Sequence, residues 1–320
     1  MLYIEEKDID KLLDFYKIVN MTKEGFKKYS EGLTLTPPYI NFLIDKVDGH
    51  VHFKSGYILG DKYFTLKYSG GFWENEKKNI PVDNGLFLVF DSETGIPVCL
   101  INDGGNLTNY RTGVAGAIAT KLLARENSKI ITVIGTGVQA REQIKALMKL
   151  MDIEYLKVWG RNKNNAEKYA NDMKQLYPNL KIENYNNIQD SIDSADIIIT
   201  TTYSNKPLLK SEWIKPGMHI TAVGACGPNM QELDETIFKK AKVFADSKEM
   251  CSLNGEIGYA IRNKIIEQKD VREIGELIGG YNRNDEDITV VDLVGLGFQD
   301  AIVGSYIYEK AVGTNTGTNI

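Results

Sequence analysis

The stretch from Lys129 to Met151 limits the possible folds of this chain most. Ile130-Ile131-Thr132-Val133-Ile134 is a short β-branched run that stops at Gly135-Thr136-Gly137-Val138-Gln139-Ala140. Beyond it Ala140, Ile144, Leu147 and Leu150 recur at helical spacing. A strand, a tight glycine turn and a helix follow one another, and G-x-G-x-x-A in that setting is the dinucleotide-binding fingerprint. Gly135 allows the sharp turn, and Gly137 has no Cβ, so a pyrophosphate can approach the backbone. Ala140 lets the helix pack close to the sheet. The helix start turns N–H groups and the positive end of its dipole toward phosphates. An ordinary βα turn accounts for one glycine but not for the spacing, so Gly135, Gly137, Val138 and Gln139 are candidate cofactor contacts.

From Lys129 onward strands and helices alternate. Candidate strands are Lys129–Ile134, Tyr155–Trp159, Lys181–Asn184, Ala195–Thr200, His219–Val223, Lys242–Ala245 and Ile288–Leu293. That alternation predicts an α/β domain with a doubly wound parallel sheet. The first half reads differently. Ile9, Leu12, Leu13 and Tyr16 mark an amphipathic N-terminal helix. Tyr39–Ile44, Tyr63–Tyr68, Leu86–Phe90 and Ile96–Ile101 read as strands of an antiparallel or mixed sheet, with turn signals at Asp48-Gly49 and Ser92–Gly95. Asn106–Arg125 is a small-residue helix, and an Ala/Val/Ile/Tyr-rich helix runs from Gly297 to about Val312. The tail Gly313–Ile320 is expected to fray. The 320 residues suit about two domains.

Composition narrows the function classes. A net charge of −5 with no basic block argues against nucleic acid, and no apolar run is long enough to span a bilayer. Met1–Asp10 is acidic and lacks a signal-peptide core. Three scattered cysteines, Cys99, Cys226 and Cys251, suit reduced thiols in a cytoplasmic protein better than a disulfide framework.

Cofactor choice is set at the end of the second parallel strand, where a carboxylate would bind the ribose hydroxyls of NAD. Here Leu156-Lys157-Val158-Trp159 runs into Gly160-Arg161-Asn162-Lys163, with no acid. Arg161 can pair with a 2′-phosphate and Lys163 adds positive charge, so NADP(H) is expected over NAD(H). Thr200-Thr201-Thr202 and Val223-Gly224-Ala225-Cys226 end two further strands at the carboxyl edge, where open α/β sheets bind ligands. Cys226 there is either a nicotinamide neighbour or an inert buried thiol. In the first half Lys67 alternates against Phe64, Leu66 and Tyr68, so by spacing it faces solvent. Arg111, near the start of a helix, reads by default as a surface cation. His50 and His52 share one strand face, but no third ligand is evident and no metal is expected.

Together these motifs resemble the ornithine cyclodeaminase/μ-crystallin family over nearly the whole chain. The resemblance rests on Leu66-Lys67-Tyr68, Asn109-Tyr110-Arg111-Thr112, Ile134 to Ala140, Val223-Gly224-Ala225, Glu232-Leu233-Asp234, Asp292 to Gly297 and Gln299-Asp300. It implies a Rossmann domain over 116–297. It also implies a substrate-binding and dimerisation domain over 1–115, completed by 298–320. By the same resemblance Lys67 and Arg111 grip a substrate carboxylate, Thr112 lies near the cofactor phosphates, and Trp159-Gly160-Arg161-Asn162 is similar to the NADP-using members.

Three positions depart from the cyclodeaminase pattern: Tyr39 and Lys54 replace an arginine and an acid, and Cys226 replaces the catalytic aspartate. Cyclodeamination of ornithine to proline is therefore the second expectation. The first is NADP-dependent reduction of a ketimine, or of an imine of a 2-oxo acid, to an L-amino acid. Lys67, Tyr39 or a water would supply the proton. The third is a non-catalytic NADPH-binding sensor or carrier. The expected partners are a small anionic amino or imino acid and a second copy of the chain.

Overall fold

The computed structural model describes residues 1–227 and 229–320. In chain order it contains β1 (Leu2–Glu5), α1 (Glu6–Leu12), α2 (Phe15–Ser30), β2 (Thr34–Leu35), β3 (Ile40–Ile44), β4 (Gly49–Ile58), β5 (Tyr63–Phe72), β6 (Asp83–Asp91), β7 (Pro97–Asn102) and α3 (Asn106–Leu123). There follow β8 (Ile130–Ile134), α4 (Val138–Leu147), β9 (Tyr155–Trp159), α5 (Lys163–Leu176), β10 (Lys181–Asn184), α6 (Ile188–Ile192), β11 (Ile197–Thr200), β12 (Asn205–Leu209), β13 (His219–Ala222) and β14 (Gln231–Leu233). The chain continues through β15 (Ala241–Ala245), α7 (Lys248–Asn254), α8 (Ile257–Arg262), β16 (Val271–Glu273), β17 (Ile288–Asp292), α9 (Gly297–Thr314) and β18 (Thr318–Asn319). Two compact units result: residues 1–111 with 295–320, and residues 112–294.

The first unit is built on a mixed sheet in the order β18-β1-β7-β6-β5-β4-β2, with β3 also paired to β4. Only β1 and β7 pair in parallel. Helix α9 lies across β4, β5 and β6 and packs against α2. Its buried run from Gly297 through Gly304 is apolar except for Gln299 and Asp300. On α2 the buried residues Phe15, Ile18, Val19, Thr22 and Phe26 form one helical stripe. Phe26 meets Phe298 edge-on at 5.3 Å between ring centroids. Fully burying such a side chain contributes roughly 1.5–3 kcal/mol. The other face of the sheet is open. Phe53, Tyr57, Phe64, Tyr68, Leu88 and Phe90 are half-exposed on it, and Ile40, Phe42 and Leu66 are exposed.

Several expectations change here. The N-terminal helix is two helices: Asp14 caps α2 by accepting from the backbone N–H of Lys17, and Tyr16 points out, 61% exposed. The tail is not frayed, because β18 pairs antiparallel with β1. Strands β1 and β4, and α2 beyond Tyr16, are not legible in the sequence; Gly49–Ile58 mixes histidines, a lysine and glycines and hides its alternation.

The second unit is a parallel sheet in the order β10-β9-β8-β11-β13-β17-β15-β16. It is the doubly wound sheet that the alternation predicts. Strands β11, β13 and β17 are buried along their whole length, as central parallel strands are when both faces are covered. The order reverses between β8 and β11, the switch point at which such sheets bind ligands.

Candidate active site

Antiparallel register pairs Lys54 with Lys67 and Lys67 with Phe87. These three side chains share the sheet face that α9 covers. Opposite them α9 starts almost in contact with β4. A Cβ on Gly56 would strike the backbone of Gly297, and one on Gly297 would strike Ser55. Only two glycines allow helix and strand to approach this closely. That approach brings Asp300, one turn into α9, down onto Lys67.

Lys67 Nζ lies 3.2 Å from each carboxylate oxygen of Asp300. Arg111, from the first turns of α3, donates from Nε to Asp300 Oδ1 at 2.9 Å and from Nη1 to Gln299 Oε1 at 2.8 Å. Lys67 is 1% exposed, Arg111 4% and Asp300 0%. The backbone reinforces the cluster. Lys54 Nζ donates to the carbonyl of Gly295 at 2.8 Å. Gly295 has φ +74, and a side chain there would run into the Arg111 guanidinium. Lys54 also sits over the Tyr39 ring, 4.6 Å from its centroid, and that ring lies 6.1 Å from the His52 ring. Tyr39, His52, Lys54, Lys67, Arg111, Gln299 and Asp300 thus form one polar cluster.

Its electrostatics follow from burial and from three cations around one carboxylate. Burial lowers the Lys67 ammonium to about 7; Asp300 opposes the shift, while Arg111 and Lys54 add to it. Burial alone would raise the Asp300 carboxyl, but Arg111, Lys67 and Lys54 outweigh it and hold the group below the usual range. Burial, then Lys54 and Lys67, push His52 down to about 4, so its ring is neutral at pH 7.

Two expectations are corrected by this geometry. Lys67 does not face solvent; it is the apolar set Phe64, Leu66 and Tyr68 that points to the open side. Alternation identifies two faces but not which one a helix will cover. Arg111 is not a surface cation but a buried partner of Asp300. Sequence reasoning gave no role to Gln299 and Asp300, although two polar residues inside an otherwise apolar terminal helix were the available signal. Nor did it give a role to His52 beyond the unsupported metal pairing.

The second unit presents the glycine turn. Gly135 has φ +122, a conformation that favours glycine, and a Cβ there would meet Thr201. A Cβ on Gly137 would meet nothing within 4 Å, which leaves the space a pyrophosphate needs. Gly137 precedes α4 with no side-chain cap, so no side chain competes for the start of that helix. Val138 is 42% exposed beside it, and Gln139 is half-buried. These features fit a dinucleotide. Arg161, Asn162 and Lys163 are exposed just past β9, and Asn162 caps α5 by accepting from the N–H of Asn165 at 3.2 Å. The carbonyl of Thr112 accepts from Gln143 at 3.0 Å. Thr201, Thr202, Val223, Gly224 and the half-buried Cys226 follow β11 and β13 at the same edge of the sheet. Cys226 and Tyr39 belong to different units.

The model of the ornithine cyclodeaminase/mu-crystallin family matches residues 2–315. The alanine dehydrogenase of Archaeoglobus fulgidus is 33% identical over 323 residues, covering 100% of this chain and 98% of its own. Among solved structures, the Delta(1)-pyrroline-2-carboxylate reductase of Thermococcus litoralis, in complex with NADH and L-proline, shares 31% identity at a TM-score of 0.93, with 100% of both chains covered. An archaeal alanine dehydrogenase dimer with bound NAD shares 32% identity at a TM-score of 0.91, covering 100% of this chain and 98% of that one. With fold, glycine turn and whole-length similarity in agreement, this chain belongs to the ornithine cyclodeaminase/mu-crystallin family.

Proposed function

We propose that this oxidoreductase of the family uses NADP(H) to reduce a small anionic ketimine, or an imine formed from a 2-oxo acid, to an L-amino acid. The observation that carries the reading is the buried Lys67–Asp300–Arg111 cluster, with a lysine whose pKa lies near neutrality. Arg111 and Lys67 bind the substrate carboxylate, each through a charge-assisted hydrogen bond. Asp300 keeps both cations in place and prevents two like charges from repelling each other out of the cluster. A reduced nicotinamide, when bound at the glycine turn, supplies the hydride that the imine carbon accepts. Lys67 holds the proton for the imine nitrogen, because an ammonium with a pKa near 7 can give up its proton at neutral pH. Tyr39 and Cys226 replace cyclodeaminase residues, which favours simple reduction over ring closure with ammonia loss.

Arg161, with Lys163 beside it and no carboxylate from Tyr155 through Lys163, supports NADP over NAD. The solved relatives named above hold NADH and NAD, so the choice is a property to be measured in this chain. Thr112, Gly135, Gly137, Val138, Gln139, Asn162, Thr201, Thr202, Val223 and Gly224 complete the proposed cofactor contacts. A second copy of the chain is the proposed partner for the open apolar face of the first unit's sheet. Among the described residues no helix is long and apolar enough to cross a membrane. The thiols of Cys99, Cys226 and Cys251 suit a reducing compartment, and we assign the protein to the cytoplasm.

The test is an NADPH-oxidation screen with cyclic imino acids and with pyruvate plus amines. Steady turnover to an L-amino acid supports the reading. Conversion of ornithine to proline without net NADPH change would establish cyclodeamination instead, and tight NADPH binding with no turnover on the whole panel would establish a carrier.

A further inference from the structure

Outside the Lys67 cluster, the second unit buries two glutamates in series that the proposed reaction does not use. Glu232 lies on β14 and is 0% exposed. Its Oε1 accepts from the backbone N–H of Thr202 at 2.5 Å and from the Thr202 hydroxyl at 2.7 Å. Its Oε2 accepts from the backbone N–H of Gly224 at 3.0 Å. Thr202 follows β11 and Gly224 follows β13, and these strands are parallel neighbours whose last residues, Thr200 and Ala222, are in register. One carboxylate therefore ties together two strand-end loops at the ligand-binding edge. Gly224 fits the tie tightly, since a Cβ there would meet both the Glu232 carboxylate and the Thr202 backbone.

The tie is anchored from behind. Glu256, also 0% exposed, accepts from the N–H of Glu232 at 2.5 Å and of Leu233 at 3.1 Å. Among the described residues neither glutamate has a lysine or arginine within ion-pair distance. Two buried carboxylates without a counter-cation are costly to retain for packing alone. Here Glu232 accepts from two backbone N–H groups and the Thr202 hydroxyl, and Glu256 from two backbone N–H groups.

From this arrangement we infer that Glu232 is a positioning residue for the cofactor, with its carboxylate fixing the spacing of the Thr201–Thr202 and Val223–Gly224 loops that hold the nicotinamide half of the dinucleotide. The inference rests on the dinucleotide reading of this edge. Glu232 touches no reacting atom; it acts through the loops. An amide in its place keeps one acceptor oxygen but turns an NH₂ group toward an N–H donor, so one end of the tie is lost while shape is retained.

The experiment compares wild type, Glu232→Gln and Thr202→Val by NADPH titration, steady-state kinetics and peptide-level hydrogen exchange. E232Q should raise the KM and Kd for NADPH at least about tenfold, leaving the imine KM within about twofold of wild type. Exchange should rise in the segments 197–204 and 219–227, fall again on saturation with NADPH, and stay unchanged in β5 and α9. T202V removes only the hydroxyl arm, so it reads the tie even if E232Q fails to fold. Its effect should be seen across the carboxylate, as faster exchange at 219–227. Unchanged NADPH affinity in E232Q, or exchange that rises evenly through both units, overturns the inference. So does T202V with normal protection at 219–227. If wild type itself binds no NADPH or NADH, the dinucleotide reading is what has failed.

Discussion

Lys67 and Asp300 are 233 positions apart in sequence, yet the lysine Nζ sits 3.2 Å from both carboxylate oxygens in a site that excludes solvent. Arg111 shares the same carboxylate. Two cations thus depend on one acid, and the acid is supplied by the last helix of the chain.

Removing that acid should be costly. Asp300→Asn leaves Lys67 and Arg111 buried without their ion-pair partner, and breaking one partner out of a buried pair typically costs about 3–5 kcal/mol. Chemical denaturation should show a loss of that order. Asp300 also opposes the downward shift of Lys67, so in the variant the lysine should titrate lower still.

The Lys67 ammonium, pulled down to about 7, sets the sign of the pH dependence. Reduction needs the protonated lysine, so kcat/KM for the imine should be level below about pH 7 and fall above it. Oxidation of the amino acid needs the neutral lysine and should rise through the same region. For stability, the unfolded chain holds this proton up to the ordinary lysine value of 10.5, whereas the folded one gives it up near 7. The unfolded state then binds more protons, and this group's contribution to stability rises with pH across that window. Parallel profiles in both reaction directions would contradict the assignment.

Charge removal at the carboxylate grip separates binding from proton transfer. Each charge-assisted bond to a carboxylate contributes roughly 1.5–3 kcal/mol, so Lys67→Met and Arg111→Met should each lower kcat/KM at least about tenfold. NADPH affinity should stay near wild type. Arg111→Met should act mainly on KM. Lys67→Met should also reduce kcat and remove the inflection near neutrality; a pure KM effect would mean that the lysine only binds.

Cofactor preference rests on Arg161. Arg161→Asp should weaken NADPH binding about ten- to a hundred-fold, the equivalent of one lost 2′-phosphate pair of roughly 1.5–3 kcal/mol, and bring NADH close to parity. Wild-type enzyme that already favours NADH would reverse the assignment.

The open sheet face predicts self-association. Leu66 is 36% exposed among half-buried aromatics, and the stacked Phe64–Phe90 pair lies on the same face. Most soluble oligomers are symmetric, so a charge at this position meets its own copy or a neighbour of it. Wild type should scatter light as a dimer at micromolar concentration and Leu66→Glu as a monomer. A monomeric wild type would refute the surface assignment.

The second unit was the more legible part of the chain. Long β-branched runs such as Ile197–Thr200 and Ile288–Asp292 are buried strands under any packing, and the glycine spacing fixes what precedes α4. The first unit depends on which sheet face receives α9, and local alternation holds no information about that. Alternation therefore identifies the strand of Lys67 correctly and puts the lysine on the wrong side. Asp300 belongs to the motifs that carry the family resemblance, yet its role is not legible for a related reason: its partner lies 233 positions away. The glycine contact between β4 and α9 sets that distance in space, and nothing local in the sequence pairs Gly56 with Gly297.

The same contact has a consequence for how the molecule is made. A chain emerging from the ribosome presents Lys67 and Arg111 first, then all of residues 112–294, and only afterwards Gly297 and Asp300. The parallel sheet of the second unit can complete its own core before the first unit receives its last helix. Until that helix arrives, β4, β5 and β6 lack the layer that buries Lys67, and the two cations lack their acid. The loop closed by this late docking is long, but its entropic cost grows only slowly with length, and an inserted unit already folded shortens it further. The Lys67–Asp300–Arg111 cluster can thus be completed only after the whole second unit has been made, and its formation reports that synthesis has reached α9.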